Sequence, residues 1–468
     1  MPDESKTLDP AVRPAAATAA PSGTTAAATP SGATATAGDS PVPARAHRWT
    51  LGLVTVGLVL AALNLRPAIT SLGALLEEVS EGLHMSGSVA GVLTSVPPLC
   101  FAVFGITAPR LARRFGPVAV VCAGMAAIFT GLLLRPFASG TAGFLAASAL
   151  ALMGIAVSNV LMPVIVKRYF PDRVGSMTGL YSMALALGTS VAAAATVPMT
   201  EALGGDWRIG LGVWAAVAAL AVLPWLPLLR DRSDAGRPGE RAATNASAPD
   251  STAPSAGTRA PATGTGSAAP AEAAAPPRVT RSRTAWALGC FFGLQATGAY
   301  ITMGWMPQIF RDAGVPASTA GVLLAVTMVM GVPLAFVIPR LATRMRNQGP
   351  IVVALGLCGL GGYTGLFLAP AAGAWAWALL LGVSNCAFPL ALTMIGMRSR
   401  TGAGVVRLSA FAQSVGYLIS IPGPLLVGVL YQHSGGWGLP IALMGGLMVP
   451  QMIVGTLAGR DRTVEDEC

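Results

Sequence analysis

A chain of 468 residues that is 53% hydrophobic and 11% charged, with mean hydropathy +0.64, carries too little charge to cover the surface of a water-soluble protein of this size. That excludes a soluble globular enzyme and leaves an all-α protein whose apolar segments sit in a lipid bilayer. The formal net charge of +10 would suggest nucleic acid in a soluble chain, and here the placement of the charges decides its meaning.

Residues 1–48 are dominated by Ala, Pro, Thr, Ser and Gly, without the apolar central run of a cleaved signal, and are expected to form a disordered tail. Apolar stretches of membrane-crossing length follow near 51–76, 88–109, 117–135, 141–166, 176–200 and 207–229. Together they make a first six-helix half at 49–229. Residues 230–283 return to the composition of the tail and read as a disordered linker, with a random-coil reach of about 40 Å. Six further stretches, near 284–310, 317–339, 350–369, 373–397, 408–432 and 438–458, make a second half at 284–458, and 459–468 form a short tail. Twelve transmembrane helices are expected.

Basic residues collect after the even-numbered spans: Arg110, Arg113 and Arg114; Lys167, Arg168 and Arg173; Arg340, Arg344 and Arg346; Arg398 and Arg400. The opposite loops carry Glu77, Glu78, Glu81, Glu201, Asp206 and Asp312, with arginine only at 135, 208 and 311. Loop Lys and Arg stay in the cytoplasm, so both termini and the linker are expected inside. Nucleic acid is then an unnecessary partner. The six cysteines are dispersed without metal spacing and His47, His84 and His433 fall outside mid-membrane, so no metal, cofactor or histidine relay is expected.

The halves repeat one another. "SNVLMP" at Ser158 matches "SNCAFP" at Ser384, "APRLARRFGP" at Ala108 matches "IPRLATRMRNQGP" at Ile338, and "LN" at Leu63 matches "LQ" at Leu294. Their shared order implies a duplicated six-helix unit, and an even number of spans per copy makes the copies parallel. This order of spans, the long central loop and the basic loop after the second span resemble the major facilitator superfamily. Within it, "LNLRPAITSLGALL", "GITAPRLARRFG" and "SNVLMPVIVKRYFPDRVGSMTGLYSMALALG" resemble the cyanate permease and nitroimidazole transporter family. The resemblance covers about 50–458 apart from the linker. It implies a major facilitator fold of two parallel six-helix halves and a secondary carrier; the excess of Arg over Lys with abundant Ala and Gly points to a bacterial cytoplasmic membrane, and no His, Asp, Glu or Cys groups converge in the spans as an enzyme would need. The superfamily's loop acid is replaced by Pro109, so its charge lock does not carry over.

Arg66 is the one formal charge expected near mid-depth, where it would cost about 2.5–3.5 kcal/mol on insertion scales and so needs a water-filled cavity or a partner. Pro67 directly after it should bend the first helix, and Ala62, Thr70 and Gly73 would share the arginine's face. A guanidinium fork suits a small anion. Candidate substrate-binding residues are Arg66, Asn64, Thr70, Asn159, Gln295, Tyr300, Asn385, Gln413 and Tyr417, and candidate gating residues are Arg113, Arg114, Lys167 and Arg407. For the amides, interhelical hydrogen bonding is the competing role. The expected function is alternating-access transport of a small anion or polar heterocycle by a monomer, with a coupling proton or counter-anion left open. Multidrug efflux is the alternative. No GxxxxGK[ST] loop is present, so ATP is not the direct energy source.

Overall fold

The computed structural model describes residues 44–230 and 279–467. Of the expected tail at 1–48, residues up to 43, and of the expected linker at 230–283, residues 231–278, lie outside the described residues, as does Cys468, while helical structure begins at Ala44 and again at Val279. Every regular element among the described residues is helical.

Among the described residues, ten helical runs are long and apolar enough to cross a membrane: Trp49–Ala74, Gly87–Phe115, Pro117–Phe137, Thr141–Tyr169, Pro171–Ala202, Ala317–Arg344, Gly349–Leu368, Ala374–Met397, Gly404–Ser434 and Gly438–Ala458. The remaining two expected spans differ for physical reasons. The sixth, Trp207–Val222, has 16 residues and is continued after a turn by the short Trp225–Arg230 helix. The seventh, Arg283–Asp312, is 30 residues long, but Gln295, Thr297, Thr302 and Gln308 dilute its apolar run. Large apolar side chains such as Leu187, Leu220, Phe367, Leu368 and Ile453 point outward, as they would in a hydrocarbon solvent.

Several spans are broken. The first stops at Asn64 and restarts at Pro67, with Arg66 at φ −125° and ψ −25° capping the second piece, Pro67–Ala74. Proline at the first helical position needs no N–H there, so the chain bends and resumes without a lost donor. The Arg66 carbonyl accepts from the amides of Ile69 and Thr70. Similar interruptions fall between Val329 and Gly331, at Cys386, and between Ser420 and Pro422. The repeat is visible in the packing: Gly124 of the third span lies against the Ser158 hydroxyl of the fourth, and Gly359 of the ninth against the Ser384 hydroxyl of the tenth.

At the end carrying Glu77 and Arg311 the two sequence halves close on each other. Gly428 packs on the Gly87 carbonyl, and Gly73 meets the Met303 carbonyl so closely that neither site has room for a Cβ. Arg311 donates to Glu78 at 3.0 Å and pairs with Glu77 at 2.9 Å, and Gln308 donates to Glu77 at 3.2 Å. Asp312 accepts from Tyr431 at 2.9 Å and from the Trp437 indole at 2.7 Å. These contacts form a polar cap over an apolar seal that includes Trp305, Met306 and Leu323.

At the opposite end the C-terminal segment is tied down. Arg398, 2% exposed, donates to the carbonyls of Ala458 and Gly459 and to Gln348, and its carbonyl accepts from the Val464 amide. Burial lowers the Arg398 pKa. Glu467 accepts from Ser282 Oγ at 2.7 Å, from the Thr284 amide at 3.0 Å and from Thr284 Oγ1 at 2.9 Å. Partial burial opposes its ionisation, but these hydrogen bonds outweigh that and hold the carboxyl below its usual range.

Candidate functional site

Where the first span bends, a cavity of about 420 Å³ opens between the two sequence halves. Its floor is set by Arg66, Gln295, Tyr300 and Asn385, and its walls run past Ser182, Ala335, Pro339, Leu392 and Thr393 toward the end that bears the basic loops. The cavity therefore faces the end opposite the Glu77 and Arg311 cap. Among the described residues that line it, none is acidic.

Arg66 reaches the lining because it lies in the break rather than on a continuous helical face. It is half-buried and shares the lining with Tyr300 and Tyr417. No ion pair forms with it among the described residues. Tyr417 is fixed by rings: Phe101 stacks on it at 5.1 Å and Phe292 meets it edge-on at 5.3 Å. The Gln295 amide nitrogen donates to the Asn385 carbonyl at 3.4 Å and side-chain oxygen at 3.2 Å. Its Oε1 is buried without a partner, and so is Gln451 Oε1 beside a second, small cavity of about 20 Å³. The lining thus offers one cation and phenolic hydroxyls, a set whose chemistry suits an anion.

The structure gathers Arg66, Gln295, Tyr300, Asn385 and Tyr417 in this lining and sets the other candidates apart. Asn64 is 1% exposed and donates to the carbonyls of Leu60 and, across to the sixth span, Val217. Thr70 is fully buried with its hydroxyl on the Arg66 carbonyl. Ala62 and Gly73 also pack inside, so the small-residue face expected around Arg66 is filled by neighbouring helices. Asn159 Oδ1 accepts from Tyr181 at 2.7 Å behind the lining, and Gln413 donates to Ser409 on its own helix at 2.7 Å. Repeat-related Asn159 and Asn385 therefore play different parts. Arg113, Arg114, Lys167 and Arg407 are exposed at the end toward which the cavity opens, and none forms an ion pair among the described residues.

Two buried charges escaped the sequence reading: Arg398, described above, and Arg135. Arg135, expected in a loop, is 0% exposed. It occupies a 3₁₀ turn, Arg135–Phe137, which Arg208 clasps by donating to the Pro136 carbonyl at 3.1 Å. Arg66 is thus not the one charge taken out of water. The only sequence signal was an arginine between an apolar run and Pro136, which reads equally well as an exposed loop.

The Major Facilitator Superfamily profile matches residues 50–419. An uncharacterized transporter of Bacillus subtilis (strain 168), YycB, is 32% identical over 434 residues, which is 91% of this chain and 97% of that one. The 2-nitroimidazole transporter of Escherichia coli (strain K12) is 30% identical over 414 residues, covering 88% and 96%. The cyanate transport protein CynX of the same organism is 28% identical over 397 residues, covering 84% and 94%. Among solved structures, a bacterial homolog of the human lysosomal transporter Spinster, inward-facing and occupied, superposes with a TM-score of 0.63 at 15% identity, covering 90% of this chain and 96% of that one. At that identity the likeness is one of fold.

Proposed function

This chain belongs to the major facilitator superfamily, and from that premise we propose that it is a secondary carrier for a small anion or polar heterocycle. Arg66 binds the electron-rich group of the solute in a cavity that alternately faces the two sides of the membrane. The support is an arginine in a lining with no carboxylate among the described residues, so an incoming anion supplies the missing counter-charge. Relatives named for 2-nitroimidazole and for cyanate agree with a small, planar, electron-rich solute.

The basic loops lie on the cytoplasmic side by the positive-inside rule, so this conformation opens inward with its outer end closed by Arg311, Glu77 and Glu78. Binding lowers the cost of the unpaired cation, and release of the cap contacts lets the seal part. With no acid in the lining, a proton entering with the solute would ride on the solute itself, or a second anion would leave in exchange.

The test is uptake of radiolabelled cyanate and 2-nitroimidazole into proteoliposomes holding wild type, Arg66→Lys or Arg66→Gln at equal density. Saturable wild-type flux that the Gln variant loses and the Lys variant partly keeps supports the assignment. Undiminished flux in the Gln variant sinks it.

A further inference from the structure

Arg135 is a second cation held inside the helical bundle, and its surroundings leave it incomplete. Its Nε donates to Ser148 Oγ at 2.9 Å and its Nη1 donates to the Ala68 carbonyl at 2.9 Å. The Phe144 ring lies 5.7 Å from its central carbon. Nη2 is buried without any partner, and no carboxylate pairs with the side chain among the described residues. Neutral partners on two nitrogens orient the fork. They do not balance its charge.

The side chain borders a small cavity of about 10 Å³, room for the centre of one water-sized sphere. Its other walls include Ile69 and Thr94 from the first sequence half, and Tyr300 and Gly304 from the second. Tyr300 also lines the large cavity next to Arg66, so one side chain separates the two chambers. The small chamber sits on the seam that must part if the Glu77 and Arg311 end is to open. Withdrawal of the Arg283–Asp312 helix would remove the Tyr300 and Gly304 wall and expose the unpartnered nitrogen.

We infer that Arg135 is a second binding site for a small monovalent anion, filled when the Glu77 and Arg311 end is open and emptied toward Arg66 past Tyr300 as that end closes. The inference rests on the carrier reading above and assigns each of its two faces a separate cation. The Ser148 and Ala68 bonds hold the guanidinium in place, and the anion takes the remaining N–H groups. In the sealed conformation a water-sized void takes its place, which is how the site stays empty during release on the other side.

The experiment compares initial rates of ¹⁴C-cyanate entry in right-side-out and inside-out membrane vesicles bearing wild type, Arg135→Gln or Arg135→Lys. Arg135→Gln should raise KM about tenfold at the Glu77 face, the loss of one charged hydrogen bond, and shift KM at the opposite face less than about twofold. Arg135→Lys, which keeps the charge, should fall between. A fall in Vmax with KM unchanged at both faces would mark Arg135 as a prop for the turn and overturn the inference.

A readout without transport separates this from failure of the carrier reading. Nitrate should raise the melting temperature of purified Arg66→Gln protein, and of Arg66→Gln/Arg135→Lys, but not of Arg66→Gln/Arg135→Gln. Nitrate stabilisation of Arg66→Gln with no cyanate flux in wild type overturns the transport assignment alone. Absence of stabilisation in both Arg66→Gln and its Arg135→Lys derivative overturns the Arg135 site, whether or not the Gln derivative folds.

Discussion

Replacing Arg66 with Gln should weaken solute binding while leaving the empty protein at least as stable, and the two effects together test the reading of the site. In the structure Arg66 is half-buried in a lining it shares with Tyr300 and Tyr417, with no carboxylate paired to it among the described residues. A hydrogen bond to a charged group contributes about 1.5–3 kcal/mol, so losing it should raise KM by roughly 10- to 150-fold. Lysine keeps the charge but loses the fork and should cost less. Because the empty site leaves a partly desolvated cation uncompensated, Gln removes a penalty, and the melting temperature in detergent should hold or rise. An arginine retained for interhelical bonding predicts the reverse, a clear drop in melting temperature with KM little changed. Parallel flux and thermal-denaturation measurements on purified wild type and variant distinguish the two. That reverse pattern would refute the substrate role.

The cap at the sealed end should set how long it stays shut. Arg311→Gln removes contacts to both Glu77 and Glu78, partly exposed pairs worth up to about 1 kcal/mol each, and should speed thiol labelling at a cysteine placed at Trp305 by a fewfold. Gly428→Val adds a side chain where only the Gly87 carbonyl and Gly91 fit, so it should hold that end open and stop net transport while still allowing solute binding from that side. Glu467→Gln should lower the melting temperature at pH 7, because the carboxylate accepts three hydrogen bonds from Ser282 and Thr284. Its pKa in the folded protein is depressed, so this contribution is full above the ordinary carboxylate pKa and lost as pH falls through the folded value. The gap between wild type and variant should therefore close on acidification, and a gap that widens would reverse the assignment.

Part of the cavity lining was legible because membrane burial makes polar residues conspicuous. Arg66 beside Pro67 stood out in an apolar run, and the repeat pointed to Gln295 and Asn385, which bond to each other at the cavity floor. Asn64, Thr70 and Gln413 carried the same sequence signal yet satisfy carbonyls or a hydroxyl on their own or adjacent helices. Nothing in a polar residue's identity tells whether a neighbouring helix or an open cavity meets it. The seventh span shows the converse for its amides: Gln295 and Gln308, which weaken its apolar run, line the cavity and join the cap, while the Thr297 hydroxyl bonds the Gly293 carbonyl of its own helix.

By itself the sequence determined the class of the protein. Hydropathy fixes helices of membrane length, since a backbone in hydrocarbon must bond within its own segment, and the repeat gives their order. Tertiary structure alone decided which charges are buried and what answers them. Arg135 lies at the end of a span, where chain position permits either water or core, and only the approach of Ala68, Ser148 and Phe144 takes it inside. The electrostatic cost of a cation depends on the atoms within a few ångströms of it, and those come from helices far apart in the chain.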